Sequence, residues 1–534
     1  MNGAPQVEER LERFAERMVP RILSQACRDP NAAAYGAFDR DWWHYKIRDF
    51  PSVILQQGGY ALWLAGRLDR FAVRRDALDR LAAAACRFWN RRAVRRGAFE
   101  EYYPAEEGYP PLAFSTLAVA KLTHERAVEP GAIEAGAAVA ARQLLSRFEG
   151  RAANQQVAGL AALAWVRRTF PDLAPAERFN AVADRTLALQ HEEGWFPEYG
   201  GPDLGYLSVT LDCLWDLYDA TREDRYRAAA ERALRFLSDT VSALGHSFGM
   251  HNARNTDYVL PYGIARFAVE PGACAPVARR LIEELYADLD DPGHFLHAVD
   301  DRYLCHYTGH SILRAVLALK NGSVVPPAGP AECGERLLAG SGHYLRRSAP
   351  SGLSLVISLK KGGVITAARG AQECSDFGWV VQIGQQQHVT HWWSDHWNWS
   401  RQGDTFLVSG RLVPCRETTS SPLRHATLRL LSWTLGRRII AGLKNRLIFR
   451  KADSPCFFVR RIAIEPHSMT LSDRIEHVPE GAEVVPAPRA SKRHVASADG
   501  FHEEDLSLSR GVRVQRTTRF ANGVFEAVTT CSFD

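Results

Sequence analysis

The sequence predicts a chain in two parts, a closed α/α toroid of helical hairpins followed by an antiparallel β-sandwich. From residue 7 to about 322, apolar residues recur at helical spacing. A motif in that half returns at a constant offset of 97 residues, which is typical of a repeated structural unit. After a Pro/Gly-rich stretch, the spacing changes to the alternation of strands. We therefore expect a toroid domain at 1–322, a linker at 323–335 and a sandwich domain at 336–534.

The helical half is predicted to contain about twelve helices. Proline stands at the start of several of them, at Pro51, Pro110 and Pro175, where its missing amide proton costs nothing. Some segments are apolar around most of their girth and others carry one apolar stripe, as alternating inner and outer helices require. The predicted ranges are 7–28, 51–69, 73–95, 110–125, 130–148, 154–170, 175–191, 206–221, 224–243, 256–269, 275–289 and 303–320.

The second half reads as strands between turn residues. Segments such as LSLVISL, WVVQI and CFFVRRIAI alternate or run as β-branched residues. Residues 424–447 fit either strands or a helix. These patterns predict an antiparallel sandwich packed on the side of the toroid.

The repeat links two loops, GAFEEYYPAEEGY at 97–109 and GWFPEYGGPDLGY at 194–206, and a weaker third copy lies at 293–307. Each copy precedes a predicted inner helix, and equivalent loops of successive hairpins emerge at the same rim. Each residue alone also fits a simple helix-entry turn. Together they predict a binding groove at the mouth of the toroid. Its expected lining is Glu101, Tyr102, Tyr109, Trp195, Glu198, Tyr199 and Tyr206.

A second polar loop, HSFGMHNARNTDY at 246–258, precedes another predicted inner helix. Arg254 and Asn255 offer donors to a carboxylate, while His251 and Tyr258 can move protons. The structural alternative makes Asn255 a helix N-cap, with Asp257 in the first turn.

A third cluster, HVTHWWSDHWNW at 388–399, lies in the predicted sandwich. On a strand, His391 and Trp393 share one face, and an indole beside an imidazole suits sugar stacking with proton transfer. Two alternatives are packing against the toroid and a zinc site. The ligands of that zinc site would be His388, His391, Asp395 and His396.

Two helix starts carry further candidates. Asn154 and Gln155 begin one inner helix, where Asn154 either caps the helix or faces the groove. Tyr206 begins another, and the positive end of the helix dipole is expected to lower the pKa of its phenol.

Composition narrows the functional classes. The net charge of +5, spread along the chain, permits an anionic partner. The N-terminus lacks the apolar segment of a secretory signal, and no apolar run is long enough to span a membrane. The ten cysteines are scattered, as is common in a reducing compartment. We therefore expect a cytoplasmic protein. Phosphate loops, GxSxG, HExxH and dinucleotide fingerprints do not occur, so we expect no cofactor and no resident metal. No nucleic-acid partner is expected, and the oligomeric state is not predicted.

This layout, with Asn154 at an inner helix, the Gly-Tyr helix entrance of GWFPEYGGPDLGY and a histidine cluster in the β-part, resembles the heparinase II/III-like and alginate-lyase-like polysaccharide lyases. Dermatan-sulfate-type uronyl epimerases share that architecture. The resemblance implies that Tyr206 is the catalytic tyrosine. It also implies an Asn-His pair whose histidine is replaced by Gln155 here, so that either this proton-transfer role is lost or His251 or His391 supplies it.

The sequence and the resemblance together predict an enzyme that removes the C5 proton of a uronate in an anionic poly- or oligosaccharide. Elimination would make the enzyme a lyase, and return of the proton to the other face would make it an epimerase. The expected catalytic residues are Tyr206, His251, His391 and Tyr258. The expected substrate-binding residues are Asn154, Gln155, Arg254, Asn255, Trp195, Glu198, Tyr199 and Trp393. Two alternatives are a glycoside hydrolase with paired carboxylates from Glu198, Asp203 and Glu101, and a noncatalytic glycan-binding protein.

Overall fold

The computed structural model describes residues 6–247, 249–323, 325–415, 420–435, 442, 454–489 and 506–533. The N-terminal half is helical up to Asn321. Its helices are α1 (Val7–Ser24), α2 (Arg40–Trp43), α3 (Gly58–Ala65), α4 (Arg75–Arg96), α5 (Tyr109–His124), α6 (Glu134–Ser146), α7 (Ala153–Thr169), α8 (Ala176–Leu187), α9 (Leu204–Thr221), α10 (Asp224–Val241), α11 (Tyr262–Val269), α12 (Ala275–Leu285), α13 (Asp301–Leu304) and α14 (Tyr307–Asn321).

Six helices form an inner ring. Contacts run from α3 to α5, α7, α9, α11 and α14, and α14 packs back on α3, so the ring is closed. Helices α1, α4, α6, α8, α10 and α12 pack outside it. Burial follows this division: α7 is buried around its girth, whereas α10 buries one face. The predicted toroid is confirmed.

Two predicted helices are divided in the structure. The segment 51–69 forms a 3-10 turn at Val53–Gln57 before α3, and the segment 303–320 is split between α13 and α14. The predicted helix at 256–269 begins only at Tyr262, because residues 249–257 form an ordered loop tied to other parts of the chain.

The C-terminal half is built of antiparallel strands. They are β1 (Gly334–Leu338), β2 (His343–Arg347), β3 (Ser354–Ser358), β4 (Val364–Arg369), β5 (Gln372–Asp376), β6 (Trp379–Ile383), β7 (Gln386–Val389), β8 (Asn398–Gln402), β9 (Thr405–Arg411), β10 (Val413–Cys415), β11 (Phe457–Ile464), β12 (Ser468–Glu476), β13 (Glu483–Pro486), β14 (Ser509–Arg510), β15 (Arg513–Ala521) and β16 (Val524–Ser532).

Within the described residues, the strands form two six-stranded sheets and one four-stranded sheet. The six-stranded sheets have the orders β1-β2-β3-β4-β5-β14 and β15-β16-β12-β11-β9-β8, and the small sheet has the order β10-β7-β6-β13. A shared apolar core lies between them. Within it, the buried guanidinium of Arg460 pairs with Asp473 and Asp376, each at 2.7 Å. Because a buried charge needs such partners, this cluster fixes how β5, β11 and β12 pack.

The ambiguous segment at 424–447 is helical where it is described. Helix α15 covers Pro422–Leu435, and residues 436–441 and 443–447 lie outside the described part of the chain.

The sandwich packs directly on the toroid. Leu338, Leu345 and Val356 of the first sheet belong to the same apolar core as the inner helices. The carboxylate of Glu193 accepts hydrogen bonds from the amides of the β1–β2 turn at 2.7 and 2.9 Å. No helix in the described ranges is long and apolar enough to cross a bilayer.

Candidate functional site

Two loops meet at the mouth of the toroid, where the inner helices begin. The first is the Glu198 turn, residues 194–203, which leads into α9. The second is the Arg254 loop, residues 249–257, which leads toward α11. An amide of the second loop, at Ala253, donates to the carbonyl of Pro202 in the first at 2.8 Å. Both loops come from the two polar segments that the sequence indicated.

Asp203 joins the two loops through hydrogen bonds to its carboxylate. It is the N-cap of α9, and its carboxylate accepts a hydrogen bond from the amide of Tyr206 at 3.1 Å. The same carboxylate accepts from the amide of Arg254 at 3.1 Å and from the hydroxyl of Thr256. Its oxygens are thus used in positioning backbone, which does not support the acid or base role considered for hydrolysis.

Asn154 and Glu198 are in direct contact, and Arg254 is close enough to Glu198 to favour its charged form. The backbone amide of Asn154, in the first turn of α7, donates to Glu198 Oε1 at 2.7 Å. The second carboxyl oxygen of Glu198 and the amide nitrogen of the Asn154 side chain are both buried, and neither has a hydrogen-bond partner among the described residues. The guanidinium of Arg254 stacks on the ring of Tyr199, 4.1 Å from the ring centroid. We call Asn154, Glu198 and Arg254 the Asn-Glu-Arg cluster.

The charge state of this cluster follows from its burial. Burial raises the pKa of Glu198 to about 8, although the hydrogen bond from the backbone amide of Asn154 acts in the other direction. The carboxyl group is therefore protonated at neutral pH and can donate. Arg254 is also buried, and it forms no ion pair with any residue in the described ranges. A buried guanidinium is normally paired, so the cluster has the donors and the charge to bind an anion.

The capping roles considered for these polar residues are wrong. The N-cap of α7 is Ala152, so Asn154 is inside the helix. The N-cap of α11 is Pro261, and Asn255 lies in the Arg254 loop with a φ of 59°. Gln155 follows Asn154, and its side-chain oxygen is buried without a described partner.

Five phenols gather beside the Asn-Glu-Arg cluster. The hydroxyl oxygens of Tyr258 and Tyr307 are 2.9 Å apart, and the rings of Tyr206 and Tyr258 meet edge to face at 6.2 Å. Tyr303 lies 6.0 Å from the ring of Tyr307, and Tyr102 interacts electrostatically with Tyr206 and Tyr303. We call these five residues the tyrosine cluster.

The pKa of Tyr206 departs from the sequence prediction. Burial, followed by the neighbouring Tyr303, raises it well above its usual value, although Arg254 acts in the other direction. The expectation that the helix dipole lowers this pKa is therefore wrong. Tyr206 is a neutral phenol at physiological pH, suited to donate a proton.

Tyr303, His306 and Tyr307 were not among the residues selected from the sequence. The imidazole of His306 stacks on Tyr303 with ring centroids 4.4 Å apart, and its Nδ1 is buried without a hydrogen-bond partner in the described part of the chain. Burial lowers the pKa of His306 to about 3, so the ring is neutral. The weak third copy of the repeat, at 293–307, was the signal for these residues.

His251 lies at the interface with the sandwich instead of in the groove. Its two ring nitrogens bond to the hydroxyls of Ser358 at 2.8 Å and Thr366 at 3.0 Å. Burial lowers its pKa well below the usual value. These contacts occupy both nitrogens and do not support a role in moving substrate protons.

Lys361 fastens the Arg254 loop from the sandwich side. Its buried ammonium donates to the carbonyls of Met250, at 2.6 Å, and Asn252, and to the side chain of Asn255. Burial lowers its pKa to about 7. Asn255, expected to bind substrate, is therefore used to hold this loop.

Of the two tryptophans expected to bind substrate, only Trp393 contacts the Glu198 turn at the mouth. Trp393 packs on the Glu198 turn, where a Cβ at Gly201 would lie 2.4 Å from its indole, and its Nε1 donates to Ser341 at 3.2 Å. Trp195 instead stacks on His191 at 4.5 Å and donates to Glu193. Both indoles thus help to join the two halves of the chain.

The histidine cluster at 388–399 is dispersed by the fold. His388 bonds to Ser454 at 2.9 Å, Asp395 pairs with Lys360 at 2.7 Å, and His391 is buried in the loop after β7. Across the residues the structure describes, no three histidine, cysteine or acidic side chains are grouped closely enough to hold a metal ion. The zinc alternative therefore has no geometric support there.

Comparison with known proteins gives similarity at the level of architecture. No family model matches the sequence, and no curated protein matches it significantly. One similar solved structure is the chondroitin AC lyase of Streptomyces coelicolor A3 in complex with chondroitin sulphate, which is 9% identical, with 100% of this chain and 78% of that chain covered and a TM-score of 0.48. Heparinase III is 10% identical, with 99% and 89% covered and a TM-score of 0.39.

A third similar structure is a family 76 glycoside hydrolase from a bovine Bacteroides thetaiotaomicron strain. It is 11% identical, with 58% of this chain and 78% of that chain covered and a TM-score of 0.33. The structures that this chain resembles thus include polysaccharide lyases and a glycoside hydrolase. None of these three is an epimerase.

Proposed function

We propose that this chain is an enzyme that removes the C5 proton of a uronate residue in an anionic glycan. The proposal depends on one observation, the buried Asn-Glu-Arg cluster, whose guanidinium forms no ion pair with any residue that the structure describes. A uronate carboxylate placed there would accept hydrogen bonds from Arg254, the Asn154 side chain and the protonated Glu198. Neutralising that carboxylate stabilises the enolate-like anion that forms when the adjacent C5 proton leaves.

Proton movement is assigned to the neighbouring tyrosine cluster and His306. The neutral imidazole of His306 is the proposed base, and an anion bound in front of it would raise its low pKa. Tyr206 is the proposed acid, since its raised pKa keeps the phenol protonated. Each such group typically contributes about 10²–10⁴-fold to rate. Tyr258 and Tyr307 would hold Tyr206 through edge contacts and their own hydrogen bond.

Two outcomes follow from the same intermediate. If the electron pair at C5 expels O4, and Tyr206 protonates that oxygen, the products are an unsaturated uronate and a new chain end. If Tyr206 instead returns a proton to the opposite face of C5, the product is the C5 epimer. The donor set at the carboxylate is identical for both reactions.

Hydrolysis is less well supported by the geometry. A glycosidase needs one protonated and one ionised carboxyl group across the scissile bond. Burial raises the pKa of both Glu101 and Glu198 to about 8, so both are protonated at neutral pH. Asp203, the remaining candidate, is used as a helix cap.

The test is incubation with a panel of uronate-containing oligosaccharides in deuterated buffer. Ultraviolet absorbance of an unsaturated product indicates elimination, deuterium at C5 without absorbance indicates epimerisation, and new reducing ends without either indicate hydrolysis. Tyr206→Phe should lower the active signal by about 10²–10⁴-fold. The matched control is Tyr226→Phe, a buried tyrosine on the outer helix α10, which should leave the rate unchanged.

A glycan that binds but gives none of these three signals would contradict the enzymatic proposal. In that case the cluster would serve recognition alone, and Tyr206→Phe would change no reaction rate.

A further inference from the structure

Two cysteines of the sandwich meet across its core. Cys374 lies in β5, in the first six-stranded sheet, and Cys531 lies near the end of β16, in the other six-stranded sheet. Their side chains belong to the same apolar core and are 2% and 1% exposed. The two Sγ atoms are 3.3 Å apart, although the residues are separated by 157 positions in the chain. The fold therefore brings two distant thiols into direct contact.

Polar contacts hold the strands together on either side of this pair. Asp376, in the same strand as the first cysteine, accepts a hydrogen bond from the guanidinium of Arg516 in β15 at 2.8 Å. Arg369, the last residue of β4, donates to the carbonyl of Phe533, just after β16, at 2.8 Å. Both contacts join the first sheet to the other six-stranded sheet. The approach of the two sulfur atoms is thus fixed by contacts that do not involve the sulfurs themselves.

Little movement separates this contact from a covalent bond. The sulfur atoms of a disulfide are about 2.05 Å apart, so the two Sγ atoms, now at 3.3 Å, must approach by about 1.2 Å, roughly 0.6 Å each. Small rotations of the two side chains about their Cα–Cβ bonds move the sulfurs by this amount without leaving a staggered conformation. In the reduced chain, the same two groups share a weak thiol hydrogen bond.

We propose that Cys374 and Cys531 are a disulfide site, which a small disulfide such as glutathione disulfide oxidises to a bond between the two six-stranded sheets. The thiolate of one cysteine attacks the oxidant and releases one reduced thiol. The thiolate of the second cysteine then attacks the mixed disulfide, forms the Sγ–Sγ bond and releases the second reduced thiol. The oxidant gains the two electrons that the cysteines lose, and the two thiol protons pass to the released thiols.

Access to the pair decides when the bond forms. The hydrogen bond to Cys531, together with burial, raises the pKa of the Cys374 thiol well above its usual value. Exchange requires a thiolate that the oxidant can reach, so it is slow once the sheets have closed over the pair. The bond therefore forms during folding under oxidising conditions. In a reducing compartment, such as the one that the sequence predicts, the pair stays as thiols.

The bond stabilises the sandwich by restricting the unfolded chain. It closes a loop of 157 positions that contains the strands from β6 to β15. A crosslink that closes a long loop removes more conformational freedom from the unfolded chain than one that closes a short loop. The oxidised chain should therefore be the more stable form, whatever reaction the groove performs.

The experiment is refolding of the full chain from denaturant, once with excess dithiothreitol and once with a mixture of reduced and oxidised glutathione. Free thiols are then alkylated and the chain is analysed by mass spectrometry. The oxidised sample should carry two fewer alkyl groups, and its digest should contain a peptide pair joined through Cys374 and Cys531. Its Tm should be about 5–10 °C higher than that of the reduced sample.

Two variants assign the bond. Cys374→Ala should abolish both the crosslink and the difference in Tm between the two samples. The matched control, Cys456→Ala, removes another buried thiol of the same apolar core and should keep both. The comparison of the unmodified chain in its two states does not require either variant to fold.

Several results would overturn the inference. One is equal alkylation of the reduced and oxidised samples. Another is glutathione attached to either cysteine without a crosslink between them. A third is a crosslink that persists in Cys374→Ala, which would assign it to other cysteines. Because the experiment uses no glycan, its outcome is independent of whether the groove is catalytic.

Discussion

Replacing Glu198 by glutamine tests the charge state on which the proposed site depends. The carboxyl group is 1% exposed, and its pKa rises from 4.5 to about 8 because burial disfavours the carboxylate. A shift of this size corresponds to about 5 kcal/mol, at about 1.4 kcal/mol for each pH unit. Glutamine keeps the shape and the neutral donor but cannot ionise.

The sign of the effect follows from proton linkage. Between the unfolded and folded pKa values, the folded chain keeps a proton on Glu198 that the unfolded chain has lost, so stability falls as pH rises. The side chain in E198Q does not titrate, so the stability of this variant does not fall with pH for this reason. Relative to the unmodified chain, the variant should therefore gain about 4 kcal/mol of unfolding free energy from about pH 5 to about pH 8.

The assay is denaturant unfolding of both proteins across that pH range. The matched control is Glu177→Gln, an exposed glutamate in the first turn of α8, which should follow the unmodified chain at every pH. Parallel curves for E198Q and the unmodified chain would refute the reasoning, because they would mean that Glu198 is not held as a buried acid. In an activity assay, E198Q should keep turnover and extend it to higher pH, whereas a hydrolase with Glu198 as its acid would lose turnover.

Four further outcomes are expected. Arg254→Met should weaken binding of a uronate oligosaccharide by about ten- to a hundredfold, measured by calorimetry, because it removes a charged donor; unchanged affinity would count against the anion site. His306→Gln should lower the C5 exchange rate by about 10²–10⁴-fold with little change in affinity, and a rate equal to the unmodified chain would exclude His306 as the base. The pKa of Lys361 is lowered to about 7 in the folded chain, because burial disfavours the charged form. The free energy of unfolding should therefore rise with pH between about 7 and the pKa of this lysine in the unfolded chain, 10.5. Lys361→Met should abolish this rise in unfolding experiments, and a rise that persists in the variant would assign it to another group.

Much of the fold could be predicted because local signals were consistent with it. Pro110 and Pro175 stand at or just before the starts of α5 and α8, and the apolar spacing separates the inner helices from the outer ones. After the linker, the spacing of apolar residues changes from helical to alternating, which correctly predicts the strands. The split of 51–69 could not be read from the pattern, because a 3-10 turn and a helix bury similar apolar residues.

The site was predictable as a region, but the roles of single residues were not. The dipole of a helix is worth about 0.3–1 kcal/mol at its N-terminus, whereas burial shifts a pKa by up to about 3–5 units, so burial decides the state of Tyr206. Nothing in the sequence states that the hydroxyls of Ser358 and Thr366 occupy His251. That information lies in how the two halves pack.

The packing of the halves also gives the sandwich a part in the proposed chemistry. Asp203 ties the Arg254 loop to the toroid, but the opposite side of that loop is held by Lys361, and Asp257 is paired with Arg489 at 2.9 Å. Arg254 is buried without an ion pair from the described residues, which destabilises the folded chain. The rest of the loop must therefore be held firmly enough to keep this side chain buried. Contacts from both halves supply that constraint. The Asn-Glu-Arg cluster is therefore a property of the whole chain, even though all three of its side chains belong to the helical half.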